Sequence, residues 1–251
     1  MIACFTLFKK EFMRFWKVGL QTLFAPMITA LLYLTIFTQV MQDRTVEGFN
    51  VPYTAFLLPG LIMMQILQNS FSNPSSSLIQ AKVMGSIIFI LLPPIGYFEF
   101  FIAYAAAAIV RGFLIGISVL FVSSFFVDLP LAHPLWAIAF ALAGGALFAI
   151  LGILAGLWSE NFDQIATLQN FFILPLTMLS GVFYSITVLP IFWQKLSYFN
   201  PIFYLIDGFR YGFFSQADTS PYLSLMVTLF SILLLSAITI RLIAKGWHLR
   251  H

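Results

Sequence analysis

Charge is what this sequence has least of. Twelve Lys and Arg residues and nine Asp and Glu residues are spread over 251 positions, 8% of the chain, against about 25% in an ordinary soluble domain. A solvated surface of normal extent cannot be built from so few. Cysteine is nearly absent: Cys4 stands alone, which excludes a disulfide framework and a cysteine-based metal site. No glycine is followed by lysine, so no phosphate-binding loop of the GxxxxGK[ST] type exists. HExxH, GxSxG and a Cys/His cluster are missing as well, and with them the common signatures of a metalloprotease or serine hydrolase. The net charge of +3 is too small and too dispersed for nucleic-acid binding.

Apolar residues fill the space instead: 61% of the chain is hydrophobic, 18% aromatic, and 30 residues are Phe. Six long apolar runs occur at about 20–41, 53–72, 98–127, 135–157, 165–189 and 221–243. Each has the length a helix of roughly 20 residues needs to cross a bilayer. The third is long enough to tilt or emerge. Together they leave no room for a separate soluble domain of about 100–150 residues. The composition therefore predicts an all-α membrane protein with one transmembrane domain over residues 1–251. The start does not read as a cleaved signal: Lys9, Lys10, Arg14 and Lys17 come late, and the run after them is long enough to span.

Basic residues collect in loops that stay cytoplasmic. An inner N-terminus puts Lys9, Lys10, Arg14, Lys17, Lys82, Arg241, Lys245 and Arg250 inside, against Arg44, Lys195 and Arg210 outside. Both termini are then expected in the cytoplasm. Residues 1–19 read as an interfacial amphipathic helix, with Phe5, Phe8, Phe12, Phe15 and Trp16 on one face and Lys10, Arg14 and Lys17 opposite. The alternative is a basic flank that only sets topology.

Arg111 is the one charge deep inside a run. An Arg at a helix centre costs roughly 2.5–3.5 kcal/mol on insertion scales, so it must face protein or water. It either lines a substrate path or pairs with a carbonyl and fixes packing. The run middles hold no carboxylate, and His133, His248 and His251 all lie at edges, which counts against a proton-driven exchanger. The pairs Gly112/Gly116, Ala141/Gly145 and Gly152/Gly156 suit close helix packing in lipid. Pro175 is expected to break the fifth run. After it, Trp193, Tyr198, Asn200, Pro201, Tyr204, Asp207 and Arg210 suit short re-entrant helices on the outer side, with Asp207 and Arg210 spaced to pair on one helix face.

An ordered set of motifs resembles the ABC-2 type exporter permeases: YTAFLLPGLIMM at Tyr53 to Met64, Ser70-Phe71, Ala81-Lys82, LLPP at Leu91 to Pro94, Arg111-Gly112, Phe162-Asp163, Pro175, LSGVFY at Leu179 to Tyr184, Leu189-Pro190, NPIFY at Asn200 to Tyr204 and GFRY at Gly208 to Tyr211. The match is similar to the YadH-like branch, near the nodulation-factor and drug-resistance export permeases. The resemblance implies a six-span subunit that forms a homodimer in the bacterial inner membrane and recruits a separate ABC ATPase. That partner binds ATP and Mg²⁺; no cofactor is expected on this chain. It also implies an ATPase-coupling loop after the second span, with Gln80, Lys82 and Phe89 as candidates, and re-entrant outer helices carrying Asn200, Pro201, Asp207 and Arg210. Phe89 stands where related sequences usually carry an acidic residue. The exported cargo would be a lipid, a glycoconjugate or an amphipathic drug. Candidate path residues are Thr29, Tyr33, Met63, Asn69, Arg111, Phe172 and Thr177. A secondary transporter, or a lipid-binding membrane protein that transports nothing, remains the alternative.

Overall fold

The computed structural model describes residues 2–41, 45, 46, 49 and 51–247. Arg44 and Arg250, used in the orientation argument, and His248 and His251 lie outside them. Regular structure among the described residues is helical, apart from one bridge between Thr45 and Pro52. Four helices are long and apolar enough to cross a membrane: α2 (Gly19–Val40), α5 (Tyr97–Ser123), α6 (Pro134–Trp158) and α11 (Pro221–Ala244). Three of them match the apolar runs to within two residues at each end. α5 stops four residues short of its run, because residues 124–126 form turns beyond Ser123.

The hub of the molecule is α3 (Tyr53–Val83), a 31-residue helix that packs on α5 and α6 along most of its length. It runs eleven residues past the end of its apolar run. At 1.5 Å per residue it is about 46 Å long, well over a hydrocarbon core of about 30 Å. The continuation through Asn73, Pro74, Ser75 and Ser77 is helical because those residues are buried by protein rather than lipid. The small residues of α5 and α6 make room for α3. A Cβ at Gly112 would meet Ser70 Oγ, one at Gly116 would meet Ile66, and one at Gly156 would meet Leu78. α2 and α11 are the opposite case, each burying only four side chains.

α1 (Ile2–Trp16) packs on α5 through Leu7, Glu11 and Phe15. Arg14, expected opposite the aromatic face and on anionic lipid, instead turns inward to α3. The reason is Glu11, a fully buried carboxylate one turn away that holds it. After α3, a turn at Gly85 leads into the short α4 (Ile87–Leu91).

The fifth run, expected over 165–189, is helical over residues 162–178 and so ends eleven residues early: α7 (Phe162–Leu168), a π-helical turn at Gln169–Ile173, and α8 (Leu174–Met178). Pro175 does not break it. The proline lies in the first turn of α8, directly after the wider π turn, a place where helices absorb irregular hydrogen bonding. The chain turns out at Gly181, whose φ of +75° side chains with a Cβ rarely adopt. A 3₁₀ turn, α9 (Ile191–Tyr198) and α10 (Pro201–Phe214) follow. α10 lies antiparallel to α6. Its Gly212 and Phe213 carbonyls accept from the His133 and Ala132 N–H groups at the start of α6. Its first residues, Pro201 and Ile202, line one cavity with Leu147 and Leu151 in the middle of α6.

Candidate functional site

Four features carry the residues singled out in the sequence. The first is a polar face on α3. Gln68, Ser72 and Ser76 are half-buried at four-residue spacing, so they fall on one stripe. Beside them stand Asn69 and the fully buried Asn73. Arg111 of α5 donates to both amide oxygens, to Asn69 Oδ1 and to Asn73 Oδ1, each at 3.3 Å. Arg14 of α1 donates to Asn73 Oδ1 at 3.1 Å and to the Asn73 carbonyl at 2.6 Å. Glu11 accepts from Arg14 Nε at 3.2 Å, from Lys10 at 3.0 Å and from Ser77 Oγ at 2.9 Å. Arg111 and Asn69, both path candidates, therefore come together. Glu11, Asn73 and Ser77 went unnoticed in the sequence, since nothing in the local pattern says that side chains of α1 reach α3.

The other path candidates divide. Thr29 is exposed and donates back to the Ala25 carbonyl. Tyr33 stacks on Phe37 and against Phe183. Met63 is fully buried and would touch a Cβ at Gly144, so it belongs to the α3–α6 contact. Thr177 is equally buried and bonds the Ile173 carbonyl at 2.7 Å. Phe172 is 58% exposed and stands at the edge of an apolar cavity of about 570 Å³, walled also by Phe71, Leu147, Leu151 and Phe199. This cavity, between α6, the residues 162–178 and α11, is the second feature.

The third is the end of α3 with α4, the segment expected to be the inner loop. Lys82 points into the protein and donates to the Leu157 and Ser159 carbonyls at the end of α6, where cations complement unpaired carbonyls. Gln80 is exposed. In α4, Ile87 and Ile90 are buried in a cluster with Leu7, Phe100 and Phe101. Ile88 and Phe89 face outward at 61% and 74% exposure, next to Val83 and Met84. The loop thus presents an apolar patch anchored from below.

The fourth is the layer of α9 and α10, expected on the outer side. Asn200 accepts from Ile202 N–H at the start of α10, and its own amide donates to the Leu176 carbonyl at 2.7 Å and to Ser180 Oγ at 2.8 Å. Pro201 takes the first helical position, where no N–H is needed. Asp207 and Arg210 do not pair with each other; they serve different partners. Asp207 accepts from Asp218 N–H, Thr219 N–H and Thr219 Oγ1, all within 2.9 Å. Arg210, buried, donates to the Gly181 carbonyl at 2.7 Å and lies 3.9 Å above the Phe56 ring. The turns after α8 and ahead of α11 are where these partners sit, which i,i+3 spacing alone does not reveal.

The ABC-2 type transporter family profile matches residues 2–214. The chain is 36% identical over 242 residues to the inner membrane transport permease YadH of Escherichia coli K12, covering 96% of this chain and 93% of that one. It is 26% identical over 170 residues to the probable multidrug ABC transporter permease YbhR of the same strain, over 63% of this chain and 43% of YbhR. It is 22% identical to nodulation protein J of Sinorhizobium fredii over 80% and 78% of the two chains. A helical membrane bundle matched over most of its length by this profile belongs to the ABC-2 type transporter family, as a transporter's membrane subunit.

Proposed function

We propose that this chain is the permease of an ATP-driven exporter in a bacterial inner membrane, working as a homodimer with a separate ABC ATPase that holds ATP and Mg²⁺. The observation that carries the reading is the family match over residues 2–214. The YadH relative, named an inner membrane permease, supports the location. In this reading α3 and the residues 162–178 join α2, α5, α6 and α11 as six spans, α1 lies at the inner interface, and α9–α10 form the re-entrant outer layer. That Pro201 lines one cavity with residues in the middle of α6 supports the last point. The exposed faces support dimerisation: on α2, Leu20, Phe24, Ile28, Leu32 and Ile36 form a bare stripe at four-residue spacing. The cargo is a lipid, glycoconjugate or amphipathic drug, moving past the polar face of α3 from Asn69 and Arg111 toward Tyr33 and Thr29.

Captured in mild detergent from its native membrane, the tagged permease should bring down an ABC ATPase in equal amount. Vanadate-sensitive ATP hydrolysis should belong to that partner. Hydrolysis by the chain alone, or transport driven by an ion gradient without the ATPase, would overturn the reading.

Orientation is read from the basic bias, with both termini cytoplasmic. In a Cys4→Ser background, a cysteine at Ser215 should react with an impermeant thiol reagent added to intact cells, and one at Lys245 should not. A reversed pattern inverts the topology.

A further inference from the structure

We propose that Arg14 and Arg111, joined through Asn73, form a binding site for a phosphate-class anion at the head of an amphipathic molecule. The inference deepens the transport reading by naming headgroup chemistry, and it rests on that reading for treating the ligand as cargo.

The charge balance comes first. Arg14 and Arg111 both donate to one neutral amide oxygen, Asn73 Oδ1, at 3.1 and 3.3 Å. Two guanidinium groups therefore lie within two hydrogen-bond lengths of each other. The ion pairs among the described residues both use Glu11, with Lys10 and with Arg14. Arg111 meets only amide oxygens. Positive charge is in excess, and a partly buried cation without a counter-ion is costly. Unused donors come second. Arg111 Nε and Asn73 Nδ2 are buried and have no acceptor, although Asn73 is fully enclosed. Such orphans in a native core ask for a missing partner.

The missing group must be anionic and must offer oxygens to the unused donors of Arg111 and Asn73, with Arg14, whose nitrogens already bond Glu11, Ser76 and Asn73, adding its charge beside them. Phosphate does this, and guanidinium binds it in two-pronged fashion. Access is by the half-exposed stripe of Gln68, Ser72 and Ser76 beside the two Asn residues. On the other flank of that stripe Phe71 opens onto the 570 Å³ apolar cavity with Leu151 and Phe172. The half-exposed stripe thus runs between a cationic flank toward α5 and an apolar flank toward α6, an arrangement that suits an amphipath better than a free ion.

Purified permease, with its ATPase if that co-purifies, is placed in nanodiscs of phosphatidylcholine with or without phosphatidylglycerol, and bound lipid is counted by native mass spectrometry. Phosphatidylglycerol should be retained about tenfold more tightly than phosphatidylcholine, the equivalent of one charge-assisted contact. Arg111→Gln should erase that preference, and Arg111→Lys should restore part of it. Because Arg111→Gln removes two hydrogen bonds and can impair folding, Ser72→Asp serves as the second variant. It places a fixed negative charge on the half-exposed stripe and should expel the anion while Ser72→Asn does not. Equal retention of the two lipids by the wild type, or an unchanged preference in Ser72→Asp, overturns the site. Displacement of phosphatidylglycerol by millimolar inorganic phosphate alone overturns the role of the tail. None of these readings uses ATP, so loss of the ATPase partner would sink the transport reading and leave the lipid preference standing.

Discussion

Gly152→Ala should give a permease that fails to fold stably, although helix propensity alone favours the change. Alanine is better than glycine in a helix interior by roughly 0.8–1.0 kcal/mol. Here a Cβ would lie 2.3 Å from the Phe71 carbonyl oxygen and 2.8 Å from Pro74 Cγ. No flexible side chain can yield, since the carbonyl oxygen is backbone of the buried hub helix α3. The helices must part along a contact that also holds Leu147, Phe148 and Gly156. Overpacking of this kind costs about 1–3 kcal/mol and more against rigid neighbours, so packing outweighs propensity. Gly19→Ala is the control: nothing lies within 4 Å of its Cβ. Thermal melting of the detergent-solubilised protein, followed by size-exclusion chromatography, should show a clear loss for Gly152→Ala and no loss for Gly19→Ala. Equal melting of the two would remove the claim that α3 and α6 meet backbone to backbone.

Phe89→Ala should weaken binding of the partner ATPase about thirtyfold while leaving the permease folded and inserted. Aromatic anchors at interfaces often cost roughly 2 kcal/mol or more on truncation, and each 1.4 kcal/mol is about tenfold. The fold survives because Ile87 and Ile90 hold α4 to the protein, whereas Phe89 is 74% exposed. Ile88 and Met84, exposed beside it, complete an apolar patch of the kind that marks a protein contact. Lys82→Ala should act differently. Its ammonium ties the ends of α3 and α6 together, so the expected loss is in thermal stability, with affinity for the ATPase following only through that. Titration of the ATPase onto captured permease checks both variants. Unchanged affinity for Phe89→Ala would show that this loop does not couple the two proteins.

Much of this was legible in the chain itself. A composition of 61% hydrophobic and 8% charged residues leaves only a lipid-embedded helical protein, because transfer to lipid is a sum over side chains that needs no knowledge of neighbours. The long runs of α2, α6 and α11 could be drawn within two residues for the same reason. The small-residue pairs foretold close packing, and the ordered motifs foretold the family.

Polar groups were decided elsewhere. Hydropathy ended the second run at 72, yet α3 continues to Val83, because Asn73, Ser75 and Ser77 find partners on other helices or on their own. Arg14 looked like a lipid-facing cation, but Glu11 beside it and Asn73, 59 residues away, drew it inward. Asp207 and Arg210 had the spacing of a pair, and tertiary packing sent one to Thr219 and the other to Gly181. Burial in lipid depends on a residue's own surface. Satisfying a buried polar group depends on which donor or acceptor arrives within hydrogen-bond reach, and that is set by helix packing across tens of residues.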